Sequence, residues 1–346
     1  MSENTHIQGF QGLGKNKGPC SAWFQGLEKR LKAAGNGNPK RSVEELAAYV
    51  LGCKPLEIYF REMTPEQGAE LETLIVRAEL GEPIQYIIGC VDFRGLEIHC
   101  DPRALIPRPE TELLVDEVLE FAKDDRRRGF QPRSHEQIVV VAPTRLEASS
   151  TLKIADVCTG TGCIGLALAS ALPEASVTAI DISPEALALA RENAERLGLS
   201  ERITFVPGNL LNVDAVSSPR CTCKERGEDA ASTLFAEHSL DVVVSNPPYI
   251  FSNVWKNLES CVRDHEPQLA LDGGEDGMDL IRPLVEQAAR VLKPGGGLFI
   301  EMGYDQGQAV SQCLEKFGFK NVRIIKDYSG LDRIVSGGRP LDGVRC

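Results

Sequence analysis

The sequence predicts an α/β protein in which a mainly parallel β-sheet is flanked by helices and preceded by a small helical domain. From residue 152 onward, apolar runs at 154–157, 177–180, 203–206 and 241–244 alternate with segments of helical periodicity. Such alternation is typical of parallel sheets, whose ligands bind at the carboxyl ends of the strands. The length of 346 residues suits one large domain together with a smaller one.

Composition shifts predict four parts: a flexible tail (1–20), a helical domain (21–80), a β-hairpin connector (81–110) and the α/β domain (111–346). Polar insertions near 123–150 and 211–237 interrupt the α/β domain, the first as a surface loop after a helix over 111–121. In the helical domain, capping-box patterns at 42–45 and 64–67 predict that a helix begins at each. In the connector, β-type residues around 86–89, 93–96 and 104–107 predict strands joined by turns.

The overall charge and the cysteines narrow the function classes. A formal net charge of −12 and a pI of about 5.1 disfavour nucleic acid as the main partner. Eleven cysteines are scattered without recurring metal-ligand spacing, so we expect no metal site and a reducing compartment. The amino terminus lacks secretory or Arg-rich targeting features, and no apolar stretch is long enough for a bilayer. We therefore expect a cytoplasmic protein that does not bind membranes.

A glycine-rich segment after the first predicted strand indicates a cofactor site. The segment Asp156-Val-Cys-Thr-Gly-Thr-Gly162 opens a helix, and its glycines let the backbone pass close beneath a ligand. Asp181 ends the next strand, where an acid can accept both hydroxyls of a ribose. A nicotinamide dinucleotide would use the same parts, but the third glycine of its fingerprint is missing, and Asp156 is more typical of methyltransferases. A glycine turn without a ligand is a further alternative.

The segment Asn246-Pro-Pro-Tyr249 follows another buried strand and indicates an acceptor site. Each proline fixes φ and lacks an N–H, so the turn is stiff and presents carbonyl oxygens. The side-chain oxygen of Asn246 and the Pro247 carbonyl can accept both hydrogens of a planar NH₂ group, while Tyr249 stacks on its plane. Such positioning contributes about 7–11 kcal/mol of barrier reduction. A proline-rich turn with a capping asparagine is the structural alternative.

Together these residues resemble the HemK/PrmC family of protein-(glutamine) methyltransferases over about residues 21–335. The motifs that carry the resemblance are the Gly-Thr-Gly loop, Asn-Pro-Pro-Tyr and four further segments: Pro-Ile-Gln-Tyr-Ile-Ile-Gly at 83–89, Leu-Ile-Pro-Arg-Pro-Glu-Thr-Glu at 105–112, Glu-Pro-Gln-Leu-Ala-Leu-Asp-Gly-Gly at 266–274 and Asp-Tyr-Ser-Gly-Leu-Asp-Arg at 327–333. The resemblance implies a Rossmann-like class I methyltransferase domain with S-adenosylmethionine as cofactor and S-adenosylhomocysteine as product. It also implies the glutamine of the GGQ motif in class-I peptide chain release factors as the acceptor.

The same resemblance assigns individual residues. It implies that the methionine part of the cofactor lies on Cys158, Thr159, Gly160, Thr161 and Gly162, the ribose on Asp181 and the adenine beside Gly208, Asn209 and Leu210. Asn246, Pro247, Pro248 and Tyr249 would be the catalytic residues that bind the acceptor glutamine, and Asn246 would contact the cofactor as well. The helical domain would help dock the release factor. Arg108 and Glu110 either line the acceptor pocket or form a structural ion pair. Cys158 and Asn209 depart from the family pattern, which often has glycine and aspartate there.

Two other functions remain open at this stage. A nucleic-acid methyltransferase acting on an exocyclic base amine would use the same Asn-Pro-Pro-Tyr chemistry, although it should bring basic patches and aromatic surfaces for base flipping. A non-catalytic cofactor-binding or scaffold protein would keep the glycine loop but need not keep Asn246. A mitochondrial location is the alternative to the cytoplasm.

Overall fold

The computed structural model describes residues 21–128, 151–213 and 232–341. They fall into two compact units, the first running to Cys90 and including Leu258–Glu266, and the second holding Val91–Asn257 and the chain from Pro267 onward. The predicted tail and most of the two predicted insertions lie outside the described residues.

The first unit is helical. Its main elements are α1 (Ser21–Ala33), α2 (Pro39–Leu51), a 3₁₀ turn (Pro55–Phe60), α3 (Pro65–Glu79) and α4 (Ile84–Ile88). Apolar residues at helical spacing, such as Leu27 with Leu31 and Leu71 with Ile75, are fully buried in one cluster. The apolar faces of these helices therefore hold them together.

One of the two predicted capping boxes is confirmed, and the other is wrong. Thr64 accepts a hydrogen bond from the Gln67 amide, and the Gln67 side chain accepts one from the Thr64 amide. By contrast, α2 begins at Pro39, so Ser42 lies inside the helix, where its hydroxyl donates to Asn36 Oδ1 at 3.1 Å. Proline is favourable at the first helical position because its missing N–H would have no intrahelical partner there.

The connector contains a helix where strands were expected. Residues 84–88 form α4, closed by Gly89 in the left-handed region at φ 86°, and residues 104–107 have no regular structure. Strands β1 (Cys90–Phe93) and β2 (Leu96–His99) form the hairpin, with positive φ at Arg94 and Gly95. Two positive φ values are the signature of the tight turn whose twist matches that of paired strands.

The second unit is an α/β structure. Its further elements are α5 (Pro109–Arg128), β3 (Lys153–Val157), α6 (Cys163–Ala171), β4 (Ser176–Asp181), α7 (Pro184–Arg196), β5 (Ile203–Pro207), β6 (Asn212–Val213), β7 (Ser232–Thr233), β8 (Leu240–Ser245) and α8 (Ser252–Trp255). After α9 (Ser260–Arg263), which belongs to the first unit, come α10 (Ile281–Val291), β9 (Leu292–Glu301), α11 (Gly307–Lys316), β10 (Lys320–Lys326) and β11 (Asp332–Gly338). Because α5 extends through Arg128, the surface loop predicted from residue 123 is wrong over 123–128.

The described strands form a seven-stranded sheet in the order β10-β11-β9-β8-β3-β4-β5. The five strands from β9 to β5 are parallel, and β11 is antiparallel to both of its neighbours. This sheet and the helical first unit confirm the predicted class I methyltransferase architecture. The chain runs outward from β3 in both directions, so the switch point lies between β3 and β8.

Both faces of the sheet are buried by helices. Alternate residues of β8 point to opposite faces, so Val242 and Val244 lie in one apolar cluster and Val243 in the other. Helix α10 contributes buried side chains at Ile281, Leu284, Val285, Ala288 and Val291, a spacing that places them on one side. Burial on both sides fixes the register of the strands and with it the positions of the residues at their carboxyl ends.

Candidate active site

The glycine loop joins β3 to α6 in a conformation that few residues adopt. Cys158, Gly160 and Gly162 have φ values of 60°, 54° and 83°. A Cβ on Gly162 would lie 3.1 Å from Ala190 of α7, whereas a Cβ on Gly160 would meet only Ala104, at 3.9 Å. The loop is therefore packed tightly against α7 at one glycine and open at the other.

Asp156 anchors this loop from below. Its Oδ2 accepts hydrogen bonds from Thr159 Oγ1 at 2.6 Å and from the Gly165 amide at 2.9 Å. The carboxyl group is fully buried, and burial raises its pKa to about 7. A Cβ at position 165 would lie 2.9 Å from Asp156 Oδ2, so a glycine is needed there for the carboxylate to fit.

Asp181 braces the same loop from the end of β4. Its Oδ2 accepts from the Gly160 amide and its Oδ1 from the Ser183 amide, both at 2.9 Å. Burial raises the pKa of this carboxyl, while the two amide donors oppose the shift. Each oxygen has capacity for another hydrogen bond. Asp181 is therefore able to accept from a ligand and hold the loop at the same time.

An open cavity of about 1030 Å³, its solvent-filled mouth included, lies at the carboxyl ends of these strands. The predicted site residues that line it are Arg108, Cys158, Thr159, Gly160, Thr161, Asp181, Gly208, Asn209, Leu210, Asn246 and Pro248. Gly162, Pro247, Tyr249 and Glu110 are not part of this lining.

These residues fit S-adenosylmethionine. Thr161 Oγ1, in the loop that opens at Gly160, lines the cavity and is one of the buried polar atoms of the described residues that have no hydrogen-bond partner. The apolar side chains of Leu105, Ile106 and Leu280 line the cavity together with Asp181. A cavity with one acid, a glycine cradle and apolar walls suits a nucleoside with a polar tail.

The Asn-Pro-Pro-Tyr corner follows β8, next to β3. Ser245, the last residue of β8, donates from its hydroxyl to the Val157 carbonyl at 2.7 Å. Asn246 lies at the cavity wall, and its Nδ2 donates to Thr111 Oγ1 at 3.2 Å. Pro247 and Pro248 are buried, and Tyr249 is half-buried. The structure thus brings Asn246 and Pro248 to the same cavity as the glycine loop.

The segment 271–273 contacts the backbone of the Asn-Pro-Pro-Tyr corner and of the residue after it. The amide of Ile250 donates to the Leu271 carbonyl at 3.0 Å, and the amide of Gly273 donates to the Ile250 carbonyl at 2.8 Å. The side chain of Gln306 donates to the Tyr249 carbonyl at 3.0 Å. A Cβ on Gly273 would lie 2.7 Å from the Tyr249 Cα. The segment therefore packs directly on the corner's backbone and limits its movement.

Sequence reasoning missed several residues that hold the site. Thr111 donates to Glu301 Oε2 at 2.7 Å, and Tyr249 donates to Glu301 Oε1 at 3.4 Å. Asn193 of α7 is buried, and its Nδ2 donates to both the Thr161 and the His99 carbonyls at 3.0 Å. A polar residue amid the apolar face of α7 was the only available signal for Asn193. Nothing in the sequence pairs Thr111 with Glu301.

Comparison with known proteins agrees with this site. Residues 22–89 match the PrmC N-terminal domain, and residues 148–322 match a methyltransferase domain. A release factor glutamine methyltransferase of Moorella thermoacetica is 36% identical over 88% of this chain and 93% of its own. Proteins of the same description from Caulobacter vibrioides and Koribacter versatilis are 37% and 33% identical, over 93% and 92% of this chain and 96% and 97% of theirs. The chain belongs to the release factor glutamine methyltransferase family.

Membership of this family confirms that the protein is an S-adenosylmethionine-dependent enzyme. In the part of the chain that the structure describes, no helix combines the length and the apolar character needed to cross a bilayer. Within the same ranges, His, Cys, Asp and Glu side chains form no group of three or more that could hold a metal ion.

Proposed function

We propose that this enzyme transfers a methyl group from S-adenosylmethionine to the side-chain amide nitrogen of the glutamine in the GGQ motif of class-I peptide chain release factors. The observation that carries the proposal is the position of Asn246, which shares one cavity wall with the glycine loop and Asp181 at the switch point of the sheet. The names of the relatives support the release factor as substrate.

Asn246 and the prolines bind the acceptor by its hydrogens. The glutamine NH₂ group donates one hydrogen to Asn246 Oδ1 and the other to the Pro247 carbonyl, and Tyr249 packs on the plane of the amide. The rigid corner holds Asn246 Oδ1 and the Pro247 carbonyl in place. Because both hydrogens of the glutamine amide bind there, the plane of the amide is fixed too, and its nitrogen faces the glycine loop. Orientation of this kind removes entropy from the barrier before the reaction begins.

The same acceptors stabilise the transition state. When bound, the cofactor supplies an activated methyl group on a positively charged sulfur. As the new N–C bond forms and the C–S bond breaks, positive charge moves onto the acceptor nitrogen, whose N–H groups become stronger donors. Asn246 Oδ1 and the Pro247 carbonyl therefore bind the transition state more tightly than the ground state. The acidic N–H proton then leaves to solvent, which restores a neutral amide.

Arg108 and the glycine loop have supporting roles in this proposal. Arg108 lies in the cavity wall, where its guanidinium group can contact the glutamine or the carboxylate of the cofactor. Glu110 lies in the first turn of α5, two residues after Arg108. Residues 158–162 hold the methionine part, Asp181 the ribose, and Asn209 and Leu210 the adenine. Asn209 keeps an amide oxygen that can accept from the adenine amine, as an aspartate would.

We assign docking of the release factor to the helical segment 21–80. The match of residues 22–89 to the PrmC N-terminal domain supports this role. The bacterial sources of the relatives support a cytoplasmic location, and a mitochondrial location is the alternative.

Transfer of labelled methyl groups tests the proposed function. The enzyme is incubated with labelled S-adenosylmethionine and one of three acceptors: a class-I release factor, the same factor with GGQ changed to GGA, or a mixture of DNA and RNA. We expect label only on the intact release factor. Label that persists on the GGA variant would exclude the proposed glutamine, and label on nucleic acid alone would identify a base methyltransferase. No transfer to any acceptor would favour a non-catalytic binding protein.

A further inference from the structure

A buried chain of hydrogen bonds runs behind Asn246. Thr111, in the first turn of α5, donates from its hydroxyl to Oε2 of Glu301, the last residue of β9, at 2.7 Å. Asn246 Nδ2 in turn donates to Thr111 Oγ1 at 3.2 Å. Both Thr111 and Glu301 are almost fully buried, with 2% and 1% of their surfaces exposed. Water therefore has no access with which to replace either partner.

The carboxylate of Glu301 sets the direction of both hydrogen bonds. An ionised carboxylate only accepts hydrogen bonds, so it takes the single hydrogen of the Thr111 hydroxyl. The hydroxyl then faces Asn246 with a lone pair, which fits only the NH₂ end of the asparagine amide. The asparagine oxygen is consequently turned away from Thr111. That orientation leaves it available to a ligand in the cavity that Asn246 lines.

We propose that Glu301 is a positioning residue: in its ionised form it fixes, through Thr111, the side-chain amide of Asn246 with the oxygen directed at the acceptor. The inference rests on the proposed function, in which Asn246 Oδ1 binds a hydrogen of the glutamine amide. Glu301 also accepts from Tyr249 at 3.4 Å, so both of its oxygens are required as acceptors. A group that offers one acceptor and one donor cannot replace it fully.

The charge of Glu301 makes this arrangement depend on pH. Facing the carboxylate are Arg333 of β11, itself paired with Asp327, then Glu110 of α5 and the Tyr249 hydroxyl. Burial raises the pKa of Glu301 to about 7, and Arg333 only partly opposes the shift. Below that pH the carboxyl gains a hydrogen and donates to Thr111. The Thr111 hydroxyl is then released to donate to Asn246, whose oxygen turns inward, so the acceptor loses its partner.

Three variants separate positioning from packing. Thr111→Val removes the hydroxyl but keeps the shape, Thr111→Ser keeps the hydroxyl but loses a methyl group, and Glu301→Gln removes the titration. With saturating cofactor and a release factor, we expect Thr111→Val to lower kcat by about tenfold to a hundredfold, the range for losing one buried hydrogen bond. We expect Thr111→Ser to stay within about threefold of wild type, because its hydroxyl keeps both partners.

The dependence of kcat on pH distinguishes a positioning role of Glu301 from a purely structural one. We expect wild-type kcat to fall as the pH drops through the pKa of Glu301, and we expect Glu301→Gln to have a lower kcat without that acid limb. The matched control is Thr204→Val, at an exposed position in β5, which should keep the wild-type kcat and profile. Thermal unfolding and cofactor affinity establish that each variant is folded.

Each other outcome contradicts a definite part of the inference. If Thr111→Val keeps the wild-type kcat, or Thr111→Ser is equally impaired, the hydroxyl does not position Asn246. If Glu301→Gln keeps the acid limb, Glu301 is not the titrating group. A folded wild type that transfers no methyl group to the release factor contradicts the proposed function itself, and the positioning role with it.

Discussion

Gly273→Ala tests how closely the acceptor corner is held. Position 273 lies outside the left-handed region of φ, so alanine is compatible with the local backbone. Its Cβ, however, would lie 2.7 Å from the Tyr249 Cα and 2.8 Å from the Pro248 carbonyl oxygen. Both contacts are with backbone, which cannot rotate away as a flexible side chain can. The substitution must therefore displace the corner or the segment that packs on it.

The size of the effect follows from the contact distances. Ordinary contact begins at 3.4 Å, so the corner or the segment behind it must move by 0.7 Å, the difference between 3.4 and 2.7 Å. Forcing extra volume into a packed site costs about 1–3 kcal/mol of folding stability. A displacement near 1 Å at a reacting group lowers the rate by about a hundredfold. We expect kcat/KM for release factor methylation to fall by about that factor.

The assay compares Gly273→Ala with Gly37→Ala. Gly37 is exposed, has φ outside the left-handed region and has nothing within 4 Å of its hypothetical Cβ, so the control adds a methyl group without a collision. Steady-state methylation kinetics give kcat/KM, and calorimetric titration gives the affinity for S-adenosylmethionine. The affinity for the cofactor should change little, because the added methyl group meets the backbone of Pro248 and Tyr249 and not the glycine loop that follows β3. Wild-type kcat/KM in a folded Gly273→Ala protein would refute a rigidly supported corner.

Substitutions at three further positions probe the cofactor loop. Asn193→Ala leaves the Thr161 carbonyl unpaired, so urea unfolding should show a loss of about 3 kcal/mol and titration a weaker affinity for the cofactor. Cys158→Val should lower stability by about 2 kcal/mol because a β-branched residue is strained at positive φ, whereas Cys158→Gly should stay within about 1 kcal/mol of wild type. Asp156 has a raised pKa, so its stabilising contribution is present at low pH and lost as the pH rises through about 7. From about pH 5.5 to about pH 8 the cofactor-free wild type should lose about 2 kcal/mol that Asp156→Asn does not lose.

For each of the three positions, a different outcome would contradict the physical reason given. An Asn193→Ala protein with unchanged stability would mean that water replaces the lost bonds. If Cys158→Val is as stable as Cys158→Gly, the loop relaxes out of the left-handed region. A pH dependence shared by wild type and Asp156→Asn would assign it to other groups.

The strands of the sheet were predictable because their sequences are apolar runs with clear borders. Ile154–Val157 and Val177–Ile180 differ from β3 and β4 only at the ends. The helix over Pro184–Arg196 was also predictable, because Ser183 caps it and Pro184 occupies its first turn. Burial on both faces of the sheet left these sequences few alternative structures.

The connector was not predictable from the same signals. The five residues of α4 are too few for a helical period, and their isoleucines and tyrosine also favour strands. Pro83 before the segment and Gly89 after it were the usable signals, since they close the helix at both ends. At Ser42 the capping-box pattern was present, but Pro39 begins the helix three residues earlier.

Sequence motifs located the cofactor loop and the acceptor corner but not the residues that hold them. Thr111 and Glu301 are 190 positions apart, and only the sheet and α5 bring them together. The contact of the Gln306 side chain with the Tyr249 carbonyl has no sequence signature. Gly273 lies in the 266–274 motif, but the motif alone does not show that this glycine packs on the backbone of the corner. Support of this kind depends on tertiary packing, whereas the motifs depend on local conformation.

We expect Asn246 to act on the acceptor amide, with only a minor contribution to the affinity for the cofactor. The most direct measurement is single-turnover methylation of a release factor by Asn246→Ala with saturating S-adenosylmethionine, together with the cofactor's dissociation constant. Loss of one preorganised hydrogen-bond partner at a developing charge predicts a rate lower by about a hundredfold to a thousandfold. The dissociation constant should stay within about threefold of wild type. A wild-type rate, or a loss explained entirely by weaker cofactor binding, would contradict the account.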